Sequence, residues 1–275
     1  MAVESVTETA MIWGTVSGAS MLGMVISLLL SVSLPIFLGI FIYKKTKAWV
    51  PAFFIGCGIF VGFAMILEQI CHAIVLTVTG DVIRDNIWLY AIYGGLAAAL
   101  FEECGRWIAM KFCLKKHLTR ENALMYGAGH GGIEAFLILG MSSMSNLLTA
   151  AMINGGLMEK TMTALEPAQQ EVTYHQLSVL WTTPAYQFYL APVERISAIA
   201  LQIALSILVY SAVKTGRKLH LAAAFGLHFA VDFLTVICAA AIPTWALELG
   251  LLLVVAVICA VVYQLVYVQM AEKKA

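Results

Sequence analysis

Charge is what this sequence has least of. Only 12% of its 275 residues are Asp, Glu, Lys or Arg, about half the share of an ordinary soluble domain, which excludes a chain folded wholly in water. Acids and bases balance to a formal net charge of zero. No basic cluster stands out, so nothing indicates a nucleic-acid partner. The six cysteines fall singly in apolar stretches without a Cys-x-x-Cys pair. That argues against disulfides or a zinc cage and for small buried side chains. No basic n-region precedes the first apolar run, where Glu4 and Glu8 stand instead, so that run is expected to remain as an anchor. His-Glu-x-x-His and Gly-x-Ser-x-Gly are both missing, which removes the most familiar zinc-protease signature and disfavours a serine nucleophile.

Long apolar runs are abundant. Mean hydropathy is +0.90, and runs of twenty or more apolar residues recur, each enough to cross a bilayer. Seven spans are predicted, at approximately 19–43, 49–78, 87–113, 121–148, 192–213, 219–241 and 244–269, with Gly140 marking an early end or a kink in the fourth. The expected fold is an all-α polytopic membrane helix bundle, a single integral-membrane domain over 1–275. Basic residues set its orientation: Lys44, Lys45 and Lys47, then Lys115, Lys116 and Arg120, then Lys214, Arg217 and Lys218, and finally Lys273 and Lys274. All four groups share one side only if there are seven spans, with the N-terminus outside and the C-terminus in the cytoplasm. The stretch 155–191 reads as an extracytoplasmic loop whose aromatic half, Trp181 to Tyr189, lies at the membrane interface. Gly58-x-x-x-Gly62 and Gly127-x-x-x-Gly131 each put two glycines on one helix face, the pattern of close helix packing.

Against this background the few intramembrane charges carry the information, because each costs a few kcal/mol at bilayer depth. The third span contains Phe101-Glu102-Glu103-Cys104-Gly105-Arg106, in which Arg106 reaches either carboxylate at three or four residues' spacing. The fourth contains Gly129-His130-Gly131-Gly132-Ile133-Glu134, and the sixth His228-x-x-x-Asp232. Counted from the nearest basic residue, Glu102, His130 and His228 each lie roughly 14–15 Å deep at 1.5 Å per residue. Glu134 and Asp232 are one turn further. Three helices thus present carboxylate and imidazole in one plane. Glu68 and His72 share a face of the second span, but at roughly 27 Å from its start they are expected near the outer edge as a structural or gating pair. Glu194-Arg195 is placed at the start of the fifth span, where an acid suits the helix dipole.

Such a set supports two chemistries. A carboxylate backed by histidines can take a proton from water that then attacks a carbonyl, an arginine or imidazole stabilising the oxyanion. Alternatively, Glu102, His130 and His228 can hold Zn²⁺ with an open position for water. Either route ends in amide hydrolysis. A proton-coupled transporter or ion pathway would use the same Glu, His and Asp residues as a relay, and a non-catalytic scaffold would keep them as ion pairs for helix registry.

Taken together and in order, Phe101 to Arg106, Gly129 to Ala135, Glu194-Arg195 and His228-x-x-x-Asp232 resemble the YhfC family of bacterial intramembrane proteases. That family is similar to the wider group of CAAX prenyl endopeptidases, bacteriocin-processing membrane proteins and PrsW. The resemblance spans about residues 40 to 240. It implies that Glu102 is the water-activating base, Glu103 its companion and Arg106 the residue that orients it. His130, preceded four residues earlier by Tyr126, and His228 match the family's two motif histidines. Two departures stand out. Arg106 follows two intervening residues where the CAAX enzymes have three, and Asp232 replaces an asparagine, trading an amide donor for a carboxylate that favours metal ligation. The expectation is an intramembrane endopeptidase of the bacterial cytoplasmic membrane, acting on a membrane protein or peptide within the lipid bilayer.

Overall fold

A computed structural model describes residues 11–272; Glu4, Glu8, Lys273 and Lys274 of the topology argument lie outside the described residues. Helix accounts for every regular element among them. Seven helices are long and apolar enough to cross a membrane: α1 (Gly18–Thr46), α2 (Pro51–Thr79), α3 (Ile87–Cys113), α4 (Arg120–Asn154), α5 (Ala185–Thr215), α6 (Lys218–Ala239) and α7 (Thr244–Val268). Short polar side chains set their starts. Ser17 accepts from the Ser20 amide at 3.0 Å, Asn86 from the Trp88 amide at 3.0 Å, and Thr119 from the Asn122 amide at 3.2 Å, satisfying helix donors that would otherwise be bare.

The bundle is built around α5. Its sequence is mostly apolar, with Glu194, Arg195, Gln202 and Ser206 as polar exceptions, and 72% of its most apolar window is buried. It packs against α1, α3, α4, α6 and α7. α4 approaches it closely because Gly127 and Gly131 leave no side chain between the helices: a Cβ on Gly127 would sit 2.7 Å from the Ile203 Cα, and one on Gly131 would sit 3.0 Å from the Ile199 Cα. On another face of α4, a Cβ on Gly129 would overlap the Phe53 carbonyl of α2, and one on Gly56 of α2 would overlap the Tyr126 carbonyl. The second glycine pair behaves differently. Gly58 and Gly62 have nothing within 4 Å of where a Cβ would stand, so they do not form the helix contact their spacing suggests.

Helix boundaries differ from the hydropathy pattern at two places. α5 begins at Ala185, not near 192, because the helix runs straight through Pro192; a proline usually marks a first turn, and here it does not. α4 neither ends nor breaks at Gly140. It widens into a π-helical turn over Phe136–Gly140 and continues to Asn154. A longer π-helical stretch, Val61–Glu68, interrupts α2. Between α4 and α5, the stretch predicted as a loop contains helices Leu157–Met162 and Pro167–Thr182. The end of α4 and the second of these helices dock on the segment just before α1: Asn154 bonds the Val16 amide and carbonyl at 2.8 and 2.9 Å, and Trp13 lies 5.6 Å from Tyr174 and 5.8 Å from Trp181.

Candidate active site

Three helices converge on the Glu102 carboxylate. Its Oε2 lies 2.9 Å from Nε2 of His130 on α4 and 3.9 Å from Nε2 of His228 on α6. The next residue of α3, Glu103, meets the other side of the second imidazole, its Oε1 2.8 Å from His228 Nδ1. With Nδ1–H donated there, Nε2 of His228 faces Glu102 and Asp232, whose Oδ2 is 3.5 Å away. Tyr126 stands beside His130, its hydroxyl 3.4 Å from Nδ1, and Phe60 packs edge-on against the imidazole at 5.2 Å.

Arg106 is fully buried behind this group. Its Nε is 3.2 Å from Glu103 Oε2, its Nη2 3.9 Å from Glu102 Oε2 and 3.4 Å from His130 Nε2. Nη1 donates to the Gln202 carbonyl and the Ser206 hydroxyl, both at 2.7 Å. Enclosed on all sides and absent from the cavity wall, it faces both glutamates; the oxyanion role open to an arginine at this position does not fit its placement.

The cavity has a volume of about 310 Å³ and lies on the far side of Glu102 from Arg106, with Glu68, Glu134, Glu194, Arg195, Gln202, His228 and Asp232 in its wall. Glu134 and Glu194 join it through Arg195, whose Nη1 is 3.2 Å from Glu134 Oε1 and whose Nε donates to Glu194 at 2.9 Å. Glu194 is therefore well inside α5, not at its first turn, and belongs to the outer part of the same polar network. Glu68, expected near the outer edge as a structural or gating pair with His72, lines the cavity that holds Glu102; the cavity extends along the helices away from the basic end. His72 bonds Glu68 Oε1 at 3.2 Å and the Tyr93 hydroxyl at 2.7 Å.

One residue of the centre escaped the sequence reading. Gln202 of α5 donates through Nε2 to Glu102 Oε2 at 2.9 Å and to Glu134 Oε2 at 2.8 Å, while its Oε1 accepts from Arg106. It ties the inner and outer carboxylates together. A lone Gln, with Ser206 four residues later, inside an otherwise apolar span was the available signal. Conversely, Ser211 and Lys214 form a Ser-x-x-Lys run, but Ser211 bonds His220 at 2.8 Å and neither residue lines the cavity.

The donors suit a zinc ion in kind. Two imidazoles and a carboxylate are a usual ligand set, and the Glu103–His228 bond is the outer support such a ligand normally has. Among the described residues, no group of three or more His, Cys, Asp or Glu side chains is gathered so as to hold a metal ion; the fit is one of donor chemistry.

Over residues 30–263 the chain matches the family model described as YhfC intramembrane metalloprotease. It is 43% identical over 204 residues to the uncharacterized membrane protein YhfC of Bacillus subtilis (strain 168), covering 71% of this chain and 76% of that protein. No solved structure matches it. With a family model spanning most of its length and a relative this similar, the chain is a multi-pass membrane protein that belongs to the YhfC intramembrane metalloprotease family.

Proposed function

We propose that the protein is an intramembrane endopeptidase that hydrolyses a peptide bond of a membrane-associated substrate in the cavity beside Glu102. One observation carries this reading: a carboxylate in the middle of a helix apolar enough to cross a membrane lines a cavity, with imidazoles from two other helices directed at its Oε2. Glu102 takes a proton from water, the oxygen adds to the scissile carbonyl, and the proton passes to the leaving amine as the tetrahedral intermediate collapses. His130 holds the carboxylate from behind. His228, fixed by Glu103, borders the space the carbonyl oxygen occupies; with both nitrogens protonated, its Nε2–H donates to the developing oxyanion. Gln202 and Arg106 keep Glu102 aimed.

Glu102, His130 and His228 are the residues that would hold Zn²⁺, with Asp232 beside them; when bound, the ion would acidify water and polarise the carbonyl. The chain's own groups still position the substrate and move the protons. Proton-coupled transport would need the polar chain to continue across the membrane. Toward the basic end it stops against Met110, Leu114, Met125, Tyr126 and Leu205, all buried to within 1%, which favours a reaction chamber over a pathway. In the orientation set by the basic loops, that end faces the cytoplasm of a bacterial cell, and the chamber opens toward the outer half of the membrane.

The test is Glu102→Gln, purified in detergent and compared with wild type on single-span reporter proteins, with products read by mass spectrometry. Cleavage is expected to fall at least about 100-fold with the melting temperature retained. A Glu102→Gln protein that cuts as fast as wild type overturns the assignment.

A further inference from the structure

On the far face of α5 from Gln202, a second hollow lies between α4 and α7. It has a volume of about 430 Å³, within the range of small-ligand sites, and shares no residue with the catalytic cavity. Its base is a stripe of α5, Ala200, Ile203, Ala204 and Ile207, at the three- and four-residue spacing of one helix face. The two alanines in that stripe give the groove its depth. Tyr263 at its rim and the neighbouring Val261 and Leu265 are exposed, on a helix apolar enough to lie in the bilayer, so the groove opens onto lipid. One end is closed where Cys259 donates to the Ala200 carbonyl at 3.5 Å. From Cys259 to Tyr267 the groove runs roughly 12 Å at 1.5 Å per residue, most of the hydrocarbon depth of one leaflet, about 15 Å.

The other end is polar. Arg120, the first residue of α4 and one turn from Leu124 of the groove, lays its guanidinium over the Tyr267 ring, 4.5 Å from the centroid. Its Nη1 donates to the Tyr267 carbonyl at 3.1 Å and its Nε to Glu121 Oε1 at 2.8 Å. Nη2 has no hydrogen bond to protein among the described residues. The Arg120 and Glu121 side chains are 26% and 25% exposed, open enough for each to meet a ligand. Tyr263 stacks on Tyr267 with ring centroids 5.5 Å apart, and tyrosine is a common anchor at headgroup level. α7 also widens there into a π-helical turn, Tyr263–Val268, as helices often do at functional sites.

We propose that this groove holds a phospholipid with a phosphoethanolamine head, one acyl chain lying between α4, α5 and α7, its phosphate on Arg120 and its ammonium on Glu121. The site stands apart from the protease reading. An apolar slot that ends at a guanidinium with a carboxylate beside it repeats the order of such a lipid: chain, phosphate, ammonium. Basic pockets between membrane helices take lipid phosphates, and the adjacent carboxylate turns the preference from an anionic head to one that also carries a cation with N–H donors. A phosphoglycerol head has no cation for Glu121, and the ammonium of phosphocholine has no N–H to give.

Native mass spectrometry of the detergent-purified protein, titrated with phosphatidylethanolamine, phosphatidylglycerol or phosphatidylcholine, tests the site. Wild type is expected to bind one phosphatidylethanolamine at least about ten-fold more tightly than either of the others, the worth of one charge-assisted hydrogen bond. Glu121→Gln is expected to erase that preference while binding persists. Arg120→Gln is expected to weaken all three lipids about ten-fold, and Ala200→Phe, which fills the groove, to abolish the tight site. Equal affinity for the three lipids, tighter binding of phosphatidylglycerol, or unchanged binding in Ala200→Phe overturns the proposal. Should Arg120→Gln fail to fold, the lipid ranking of wild type against Glu121→Gln still decides it.

Discussion

Gln202 shows how a neutral side chain governs a charged site. It donates to Glu102 and Glu134 at once and receives Arg106, so its removal leaves a buried carboxylate and a buried guanidinium each short of a partner, the costly kind of loss. Gln202→Ala is expected to reduce kcat about 10- to 100-fold with KM changed less than about three-fold, the pattern of lost transition-state aim. Gln202→Glu, which cannot donate to either carboxylate, is expected to be no better. A KM effect as large as the kcat effect would instead place Gln202 in substrate binding. Glu103 acts at one remove as well. Glu103→Gln weakens the hold on His228 Nδ1, and zinc affinity is expected to drop about 10- to 100-fold, measured by competition with a coloured chelator. Glu102, His130 and His228 were readable in advance because charge and imidazole are rare at bilayer depth. Gln202 was not, because an amide in an apolar helix is inexpensive enough to pass as packing.

At the level of elements, glycine spacing alone did not distinguish contact from exposure. Gly127 and Gly131 lie against α5, and Gly129 against the α2 backbone, whereas the identically spaced Gly58 and Gly62 face open space. Spacing reports that two positions share a face; which neighbour that face meets depends on the tertiary arrangement. Gly129→Val is therefore expected to destabilise the protein by about 3 kcal/mol or more, through overpacking against a backbone that cannot yield. Gly62→Ala is expected to leave the melting temperature the same or slightly higher, as alanine favours helix over glycine. Thermal unfolding in detergent reads both. A similar limit applied to the ends of α5: Pro192 has the sequence signature of a helix start, yet packing against α1 and α4 carries the helix seven residues further back, to Ala185.

For the whole molecule, the seven helices were evident because hydropathy is a property of each segment alone, while the reach of the cavity to Glu68 depended on how segments pack together. Counting residues along α2 put Glu68 near the membrane edge; the cavity runs lengthwise and includes it. Metal analysis addresses the donor set directly: purified protein is expected to carry about one Zn²⁺ per chain, lost on chelation and lowered in His228→Ala. Zinc-free protein that retains full cleavage would assign the chemistry to Glu102 and water alone. Reporter fusions in the loop following α1 and in the stretch between α4 and α5 are expected to read opposite sides of the membrane, the first cytoplasmic. The backbone clasp at Gly56 and Gly129 has a consequence for how such a machine can breathe. His130 is the very next residue, so the imidazole is mounted on a jaw that stays shut. Whatever loosened that clasp would loosen the imidazole with it, so the tightest seam of the bundle and its chemistry are tied together.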